Sequence, residues 1–171
     1  MNDTNAIDEK IKKFISRHHV ITLATTGQKG EPYCSNLFYS YLDEENIFIF
    51  TTEEKTRHYG EMADNRFVAA SIVLETRTLG KIQGLQLQGN VELVSGGLIK
   101  KARKAYVKRF PYAMITDLTL WALRPTFMKF TDNTLGFGKK LIWNESGTEA
   151  AESGGNRVDR NDRQPLGGRA D

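Results

Sequence analysis

Leu85, Leu87, Val91 and Leu93 occupy odd positions of one short stretch, while Gln86, Gln88, Asn90 and Glu92 occupy the even ones. A period of two belongs to a β-strand with one dry face and one wet face, so this segment must pair along its edges and cover a core on one side only. Gly89 interrupts the apolar row, which marks a bend or the close approach of another backbone. A chain containing such a strand needs further strands to complete a sheet.

The remaining sequence supplies them. Val20–Thr26 reads as a strand, Gly27-Gln28-Lys29-Gly30 as a turn and Tyr33–Tyr41 as a second strand. After the polar stretch Asp43-Glu44-Glu45-Asn46 comes Ile47-Phe48-Ile49-Phe50, an apolar run of the kind buried on both faces. Three successive antiparallel strands make a meander. Phe67–Val73 is a fourth strand, and Leu118–Leu123 and Phe127–Phe130, separated by Pro125, read as two more.

Helices lie between them. Ile7, Ile11, Phe14, Ile15 and His18 recur in steps of three and four, with Asp8 and Glu9 near the start, which predicts an amphipathic helix over about residues 5–18. Lys55–Ala63 has helical character, and Leu98–Phe110 forms another helix with Ile99, Ala102, Tyr106 and Phe110 on one side. The expected class is mainly β (α+β), a small antiparallel barrel with helices packed outside.

Length and composition bound the function. The 171 residues fit one domain, and 39% hydrophobic with 26% charged residues describes a soluble globular chain. The last 27 residues, 145–171, hold four Arg, six acids and five apolar residues. They cannot bury enough surface to offset the entropy of ordering, so the folded domain is expected to span residues 1–144 and residues 145–171 to form a disordered tail. No apolar stretch approaches the roughly 20 residues of a membrane-spanning helix, and the N-terminus lacks a secretory pattern. A single cysteine, Cys34, agrees with a reducing compartment, and a cytoplasmic protein is expected.

Several chemical signals fall short. Gly136-Phe137-Gly138 lacks the strand and helix of a dinucleotide loop, and His18, His19 and His58 are too dispersed for a zinc site. Cys34, inside a strand read as apolar and with no basic neighbour in sequence, is expected to be a buried, inert thiol. Lys100, Lys101, Arg103, Lys104, Lys108 and Arg109 make a basic helix that could touch nucleic-acid phosphates. The mildly basic balance and the lack of a recognised motif favour a solvated face instead.

Thr51-Thr52-Glu53-Glu54-Lys55-Thr56-Arg57-His58 carries more information. It places hydroxyls at a strand end, then cations and an imidazole at a helix start, where free N–H groups and the helix dipole favour an anion. Two readings stay open from spacing: a phosphate cradle, or a threonine cap with solvated charges answering Glu53, Glu54 and Glu61.

The order of these elements, with Gly30-Glu31-Pro32-Tyr33, Phe48-Ile49-Phe50-Thr51-Thr52, Lys55-Thr56-Arg57-His58, Asn65-Arg66-Phe67-Val68-Ala69 and Gln88-Gly89-Asn90-Val91-Glu92, resembles the pyridoxamine phosphate oxidase-like split-barrel flavoproteins over about residues 5–144. The long stretch Lys129–Lys140 is similar to a branch of small bacterial proteins within that superfamily. The resemblance implies an antiparallel split β-barrel with flanking helices and FMN held at a homodimer interface. It places the phosphate at Thr51, Thr52, Lys55, Thr56, Arg57 and His58 and the ring at Asn36, Leu37 and Phe38, with Gln83 contributing from the fifth strand.

The sequence departs from the oxidase proper. Tyr41 and His58 stand where that enzyme has lysines, Thr131 stands where it has a tryptophan, and its Arg-Leu-His substrate motif is missing after Phe130. Arg109 with Tyr106 is only loosely similar to its substrate-phosphate residues. These departures argue against oxidation of vitamin B6 phosphates. The reading that results is an FMN-binding flavoprotein acting on an unknown small molecule, with no residue marked as general base or nucleophile. The alternative is a non-catalytic module for flavin, haem or another planar ligand.

Overall fold

The computed structural model of the chain describes residues 6–115, 117–136 and 138–147. Within them the order is α1 (Glu9–Arg17), β1 (Val20–Thr26), β2 (Pro32–Leu42), β3 (Ile47–Thr51), α2 (Arg57–Asp64), β4 (Phe67–Val73), β5 (Gln83–Leu93), α3 (Leu98–Arg109), β6 (Leu120–Asp132) and β7 (Lys140–Asn144). Most of the expected tail, residues 148–171, lies outside the described residues.

All pairings are antiparallel, in the order β3-β2-β1-β4-β5-β6-β7, and β3 also pairs with β6. That last pairing closes six strands into a barrel and leaves β7 as an addition. The first part of β6 pairs with β3 (Phe50↔Trp121) and its last part with β7 (Phe130↔Leu141) along the same edge. The expected mainly β barrel with outer helices is thus observed.

Alternation sorts each strand into an inner and an outer face. Leu85, Leu87 and Val91 point inward and pack with Ile21, Leu23, Val68, Leu123, Met128 and Phe130. On β3 the inner residues are Phe48 and Phe50. Its outer residues Ile47 and Ile49 sit in a second cluster with Ala102, Tyr106 and Phe110 of α3. The unbroken apolar run of β3 follows from its position between barrel interior and helix.

α1 plugs one end of the barrel with Ile11, Phe14 and Ile15. The Asp8 carboxylate accepts from the backbone N–H of Lys10 at 2.8 Å and caps the helix. At its other end the Tyr39 hydroxyl donates to the Ile15 carbonyl at 2.6 Å, and Arg109 of α3 donates to the carbonyls of Ser16 and His18. The carbonyls at this end thereby gain donors, that of Ile15 in addition to the His18 N–H at 3.4 Å.

Four expectations are corrected. The segments around Pro125 form one strand: Pro125 faces Gly89 where the register between β5 and β6 shifts, and a bulge tolerates a residue without an N–H. Ile99 is 46% exposed, because α3 meets the sheet through Ala102 and Tyr106. Leu93 is also exposed, three residues past Asn90, where the pairing of β5 with β4 ends. Cys34 is exposed, since the inner positions of β2 are the odd ones that lead to Leu37 and Tyr39, and Cys34 falls on the outer face.

Candidate functional site

Where β3 ends and α2 begins, four side chains converge. The Thr52 hydroxyl lies 2.9 Å from the Thr56 hydroxyl and 2.5 Å from His58 Nε2, and Thr56 Oγ1 lies 3.3 Å from the same nitrogen. The other ring nitrogen, His58 Nδ1, lies 3.0 Å from Ser35 Oγ on β2. Both Thr52 and His58 are buried. Burial pushes the imidazole below its ordinary pKa, and the Glu61 carboxylate pulls in the other direction.

Local sequence explains the geometry. Thr56 occupies the N-cap of α2, yet its hydroxyl donates to the Glu53 carbonyl at 2.8 Å, so no side chain caps the first turn. No acid stands in that turn either. The helix therefore begins with uncapped backbone donors and its positive dipole end beside a group of hydroxyls.

The cations are arranged differently from the cradle expected. Arg57 Nε donates to Glu61 at 2.6 Å, its guanidinium stacks 4.6 Å above the Tyr33 ring, and Glu31 lies 3.9 Å away. The carboxylate of Glu61 also accepts from the buried Thr25 hydroxyl at 2.5 Å, and these donors hold it below the usual carboxylate range. Lys55 pairs with Glu53 at 2.6 Å on an exposed face. Thr51 donates to the Thr119 carbonyl at 2.9 Å and is thereby committed to the sheet.

On β2, Leu37 turns inward against the core, whereas Asn36 and Phe38 turn outward. Asn36 accepts from Thr22 at 2.8 Å. Gln83 lies apart from this group: it faces Asp132, whereas Thr51 faces Leu120 at the opposite end of β6. Twelve residues of strand separate those pairing positions, on the order of 40 Å of path at about 3.3 Å per residue. Gln83 lines a groove of its own with Lys10, Lys13 and Arg17 of α1. Arg109 and Tyr106 are occupied by the fold, and burial pushes the Tyr106 phenol up to about 12.

Sequence reading missed Ser35, which shares the inner side of β2 with Leu37. A hydroxyl two residues before a core position was the available signal. Among the described residues no three His, Cys, Asp or Glu side chains converge as a metal site would require. Nor is any described helix long and apolar enough to cross a membrane.

The outer face of β2, β1, β4 and β5 forms a continuous patch. Its outward positions, from Cys34, Asn36 and Phe38 on β2 to Gly84, Gln86, Gln88 and Asn90 on β5, carry no charged residue. Val20, Phe38, Phe67 and Val73 are exposed on it.

Comparison with known proteins accords with this architecture. A family profile described as pyridoxamine 5'-phosphate oxidase matches residues 7–132. The UPF0306 protein YhbP of Escherichia coli O157:H7 is 41% identical over 142 residues, covering 82% of this chain and 96% of that protein. A heme binding protein from Mycobacterium smegmatis shares the fold with a TM-score of 0.68 at 19% identity, over 82% of this chain and 60% of that one. The present chain thus spans about three-fifths of that larger protein. A pyridoxamine 5'-phosphate oxidase-related, FMN binding protein from Nostoc punctiforme matches with a TM-score of 0.54 at 12% identity, over 74% and 80% of the two chains. With the barrel, its closing strand pair and 126 consecutive residues of profile in agreement, the chain belongs to the pyridoxamine 5'-phosphate oxidase family.

Proposed function

We propose that the protein is a homodimeric FMN-binding flavoprotein that transfers electrons to or from a small molecule. The observation that carries this reading is the uncapped N-terminus of α2 beside the hydroxyls of Thr52 and Thr56 and the imidazole of His58. That donor set suits a phosphomonoester: backbone N–H groups, hydroxyl donors and a favourable dipole converge, with Arg57 and Lys55 within one turn. Lys55 would exchange its exposed Glu53 partner for the phosphate at little cost, because surface ion pairs contribute under about 1 kcal/mol, whereas Arg57 would keep its Nε on the Glu61 carboxylate that Thr25 also holds and offer its remaining guanidinium N–H groups.

FMN, when bound, would supply the two-electron chemistry. The chain's own residues would bind the phosphate at Thr52, Thr56, Arg57 and His58 and lay Asn36 and Phe38 of β2 along the ring, with Leu37, whose side chain packs in the core, offering only its backbone. The uncharged outer face supports the homodimer, since burying it leaves no ion unpaired. Gln83, at the far end of β5, belongs to a flavin site only if a partner chain brings that end alongside.

The double change Thr56→Ala and Arg57→Ala is expected to weaken FMN binding by about 2–4 kcal/mol, the scale of lost charge-assisted hydrogen bonds. Titration calorimetry that finds equal affinity for the variant overturns the assignment. The visible spectrum of the purified protein separates the alternative: flavin absorbs near the blue with a yellow solution, whereas a haem-binding module gives a Soret band.

A further inference from the structure

We infer that the junction between β3 and α2 takes up its anion together with a proton on His58. This rests on the reading above, in which the anion is a flavin phosphate. The imidazole is wedged between two hydroxyls, Ser35 at Nδ1 and Thr52 at Nε2, and it is nearly sealed from solvent. A neutral ring donates through one nitrogen and accepts at the other, whereas an imidazolium donates through both. A hydroxyl can serve either partner by rotating. The cluster therefore accommodates both protonation states with its heavy atoms in place.

The consequence falls on Thr52. While the neutral ring accepts at Nε2, the Thr52 proton points at the ring. Once Nε2 carries a proton, Thr52 accepts it, and its own proton must turn away toward Thr56 or toward an anion at the helix start. Protonation thus adds a positive charge and reorients a hydroxyl donor in the same direction. The proton comes from solvent and rests on the ring, and no bond within the ligand changes.

The surrounding charges allow this response. Glu61 is the carboxylate on α2 that acts on His58, and it is held by Arg57 and Thr25. Glu31 of the turn after β1 lies 3.9 Å from Arg57, whose guanidinium stacks on the Tyr33 ring. Glu53 is paired with Lys55 in the segment before α2, and β3 contributes only the hydroxyl of Thr51 at this end. An arriving dianion is consequently the strongest new field at the imidazole, and an opposite charge within about 4–6 Å favours the protonated form.

Two measurements test the inference. The His58 ring proton, identified by its loss in His58→Gln, is titrated by NMR with and without sulfate, which keeps two charges from pH 5 to 8. Its midpoint is expected to rise by about one pH unit or more with sulfate. An unmoved midpoint overturns the inference. FMN affinity is then measured from pH 8 to 5.5 in the native chain, His58→Gln and His58→Lys. The phosphate's own titration is common to all three and cancels in ratios. The native-to-Gln affinity ratio is expected to rise about tenfold toward low pH, while the Lys-to-Gln ratio stays level. A level native-to-Gln ratio overturns proton coupling while leaving FMN binding intact. FMN binding absent from all three chains overturns the flavin reading, and the sulfate titration then decides the anion site alone.

Discussion

A hydrogen atom in place of a methyl group at Gly89 lets β5 and β6 approach where their register shifts. A Cβ built there would overlap the carbonyl of Arg124 and the backbone of Pro125, neither of which can rotate aside. Gly89→Ala is therefore expected to destabilise the fold by at least about 1–3 kcal/mol, read as a lower urea midpoint. The interruption of an apolar row announced this position in the sequence. His58 makes a second residue-scale case. Burial lowers its folded pKa beneath the unfolded value near 6.5, so the folded state resists the proton that the unfolded chain accepts. The stability this contributes is present above about pH 6.5 and is lost as pH falls below it. In anion-free buffer the urea midpoint of the native chain should fall more between pH 7.5 and 5.5 than that of His58→Gln. A parallel decline of the two chains would contradict it. Ser35, the other half of this arrangement, shares a face with Leu37 by its spacing, but its partner 23 residues away is a pairing that local pattern does not encode.

At the scale of elements, α1 shows how a helix legible from its stripe acquires ends that are not. Ile11, Phe14 and Ile15 announce the buried side, and Asp8 announces the cap. The other end depends on Tyr39 of β2 and Arg109 of α3, which meet the carbonyls of residues 15, 16 and 18 across separations of 24 to 93 residues. Removing the hydroxyl in Tyr39→Phe leaves the Ile15 carbonyl with only the longer 3.4 Å bond from the His18 N–H, at a cost of about 0.5–1.5 kcal/mol. Thermal unfolding should detect the loss, and amide exchange should rise first in the last turn of α1. The strand β6 was divided in two because proline normally ends a strand. Only its partner's glycine, facing it at a bulge, makes the uninterrupted strand possible. Gly136 and Gly138, with φ of 124° and 73°, belong to the turn that leads into β7. Two glycines on either side of an aromatic residue gave no sign of this turn, because the strand after it is only five residues long.

For the whole molecule, local pattern sufficed for the meander, the mainly β class and the outer helices. The closing pair of β3 with β6 is a contact over some seventy residues, which periodicity does not encode. The candidate site was legible where it is contiguous, as in Thr52, Thr56 and His58, and illegible where the sheet decides direction. Asn36 and Phe38 share the outer face with Cys34, while Leu37 does not. That outer face leads to a prediction about assembly. Ala69, exposed among uncharged neighbours at the middle of β4, pairs with Ala24 and Gln88. Ala69→Arg is expected to convert a dimer to a monomer in sedimentation, because an unpaired charge buried at an interface costs several kcal/mol. A dimer that persists would place the interface elsewhere.

The division of β6 between two neighbours has a further consequence. β3 occupies the first part of one edge and β7 much of the remainder, so the short last described strand covers backbone donors and acceptors that would otherwise stand bare. A chain cut before Lys140 keeps a closed barrel but offers an open seam, the kind of template on which strands of neighbouring molecules zip together. Five residues at the periphery thus cover the part of that β6 edge that β3 leaves open.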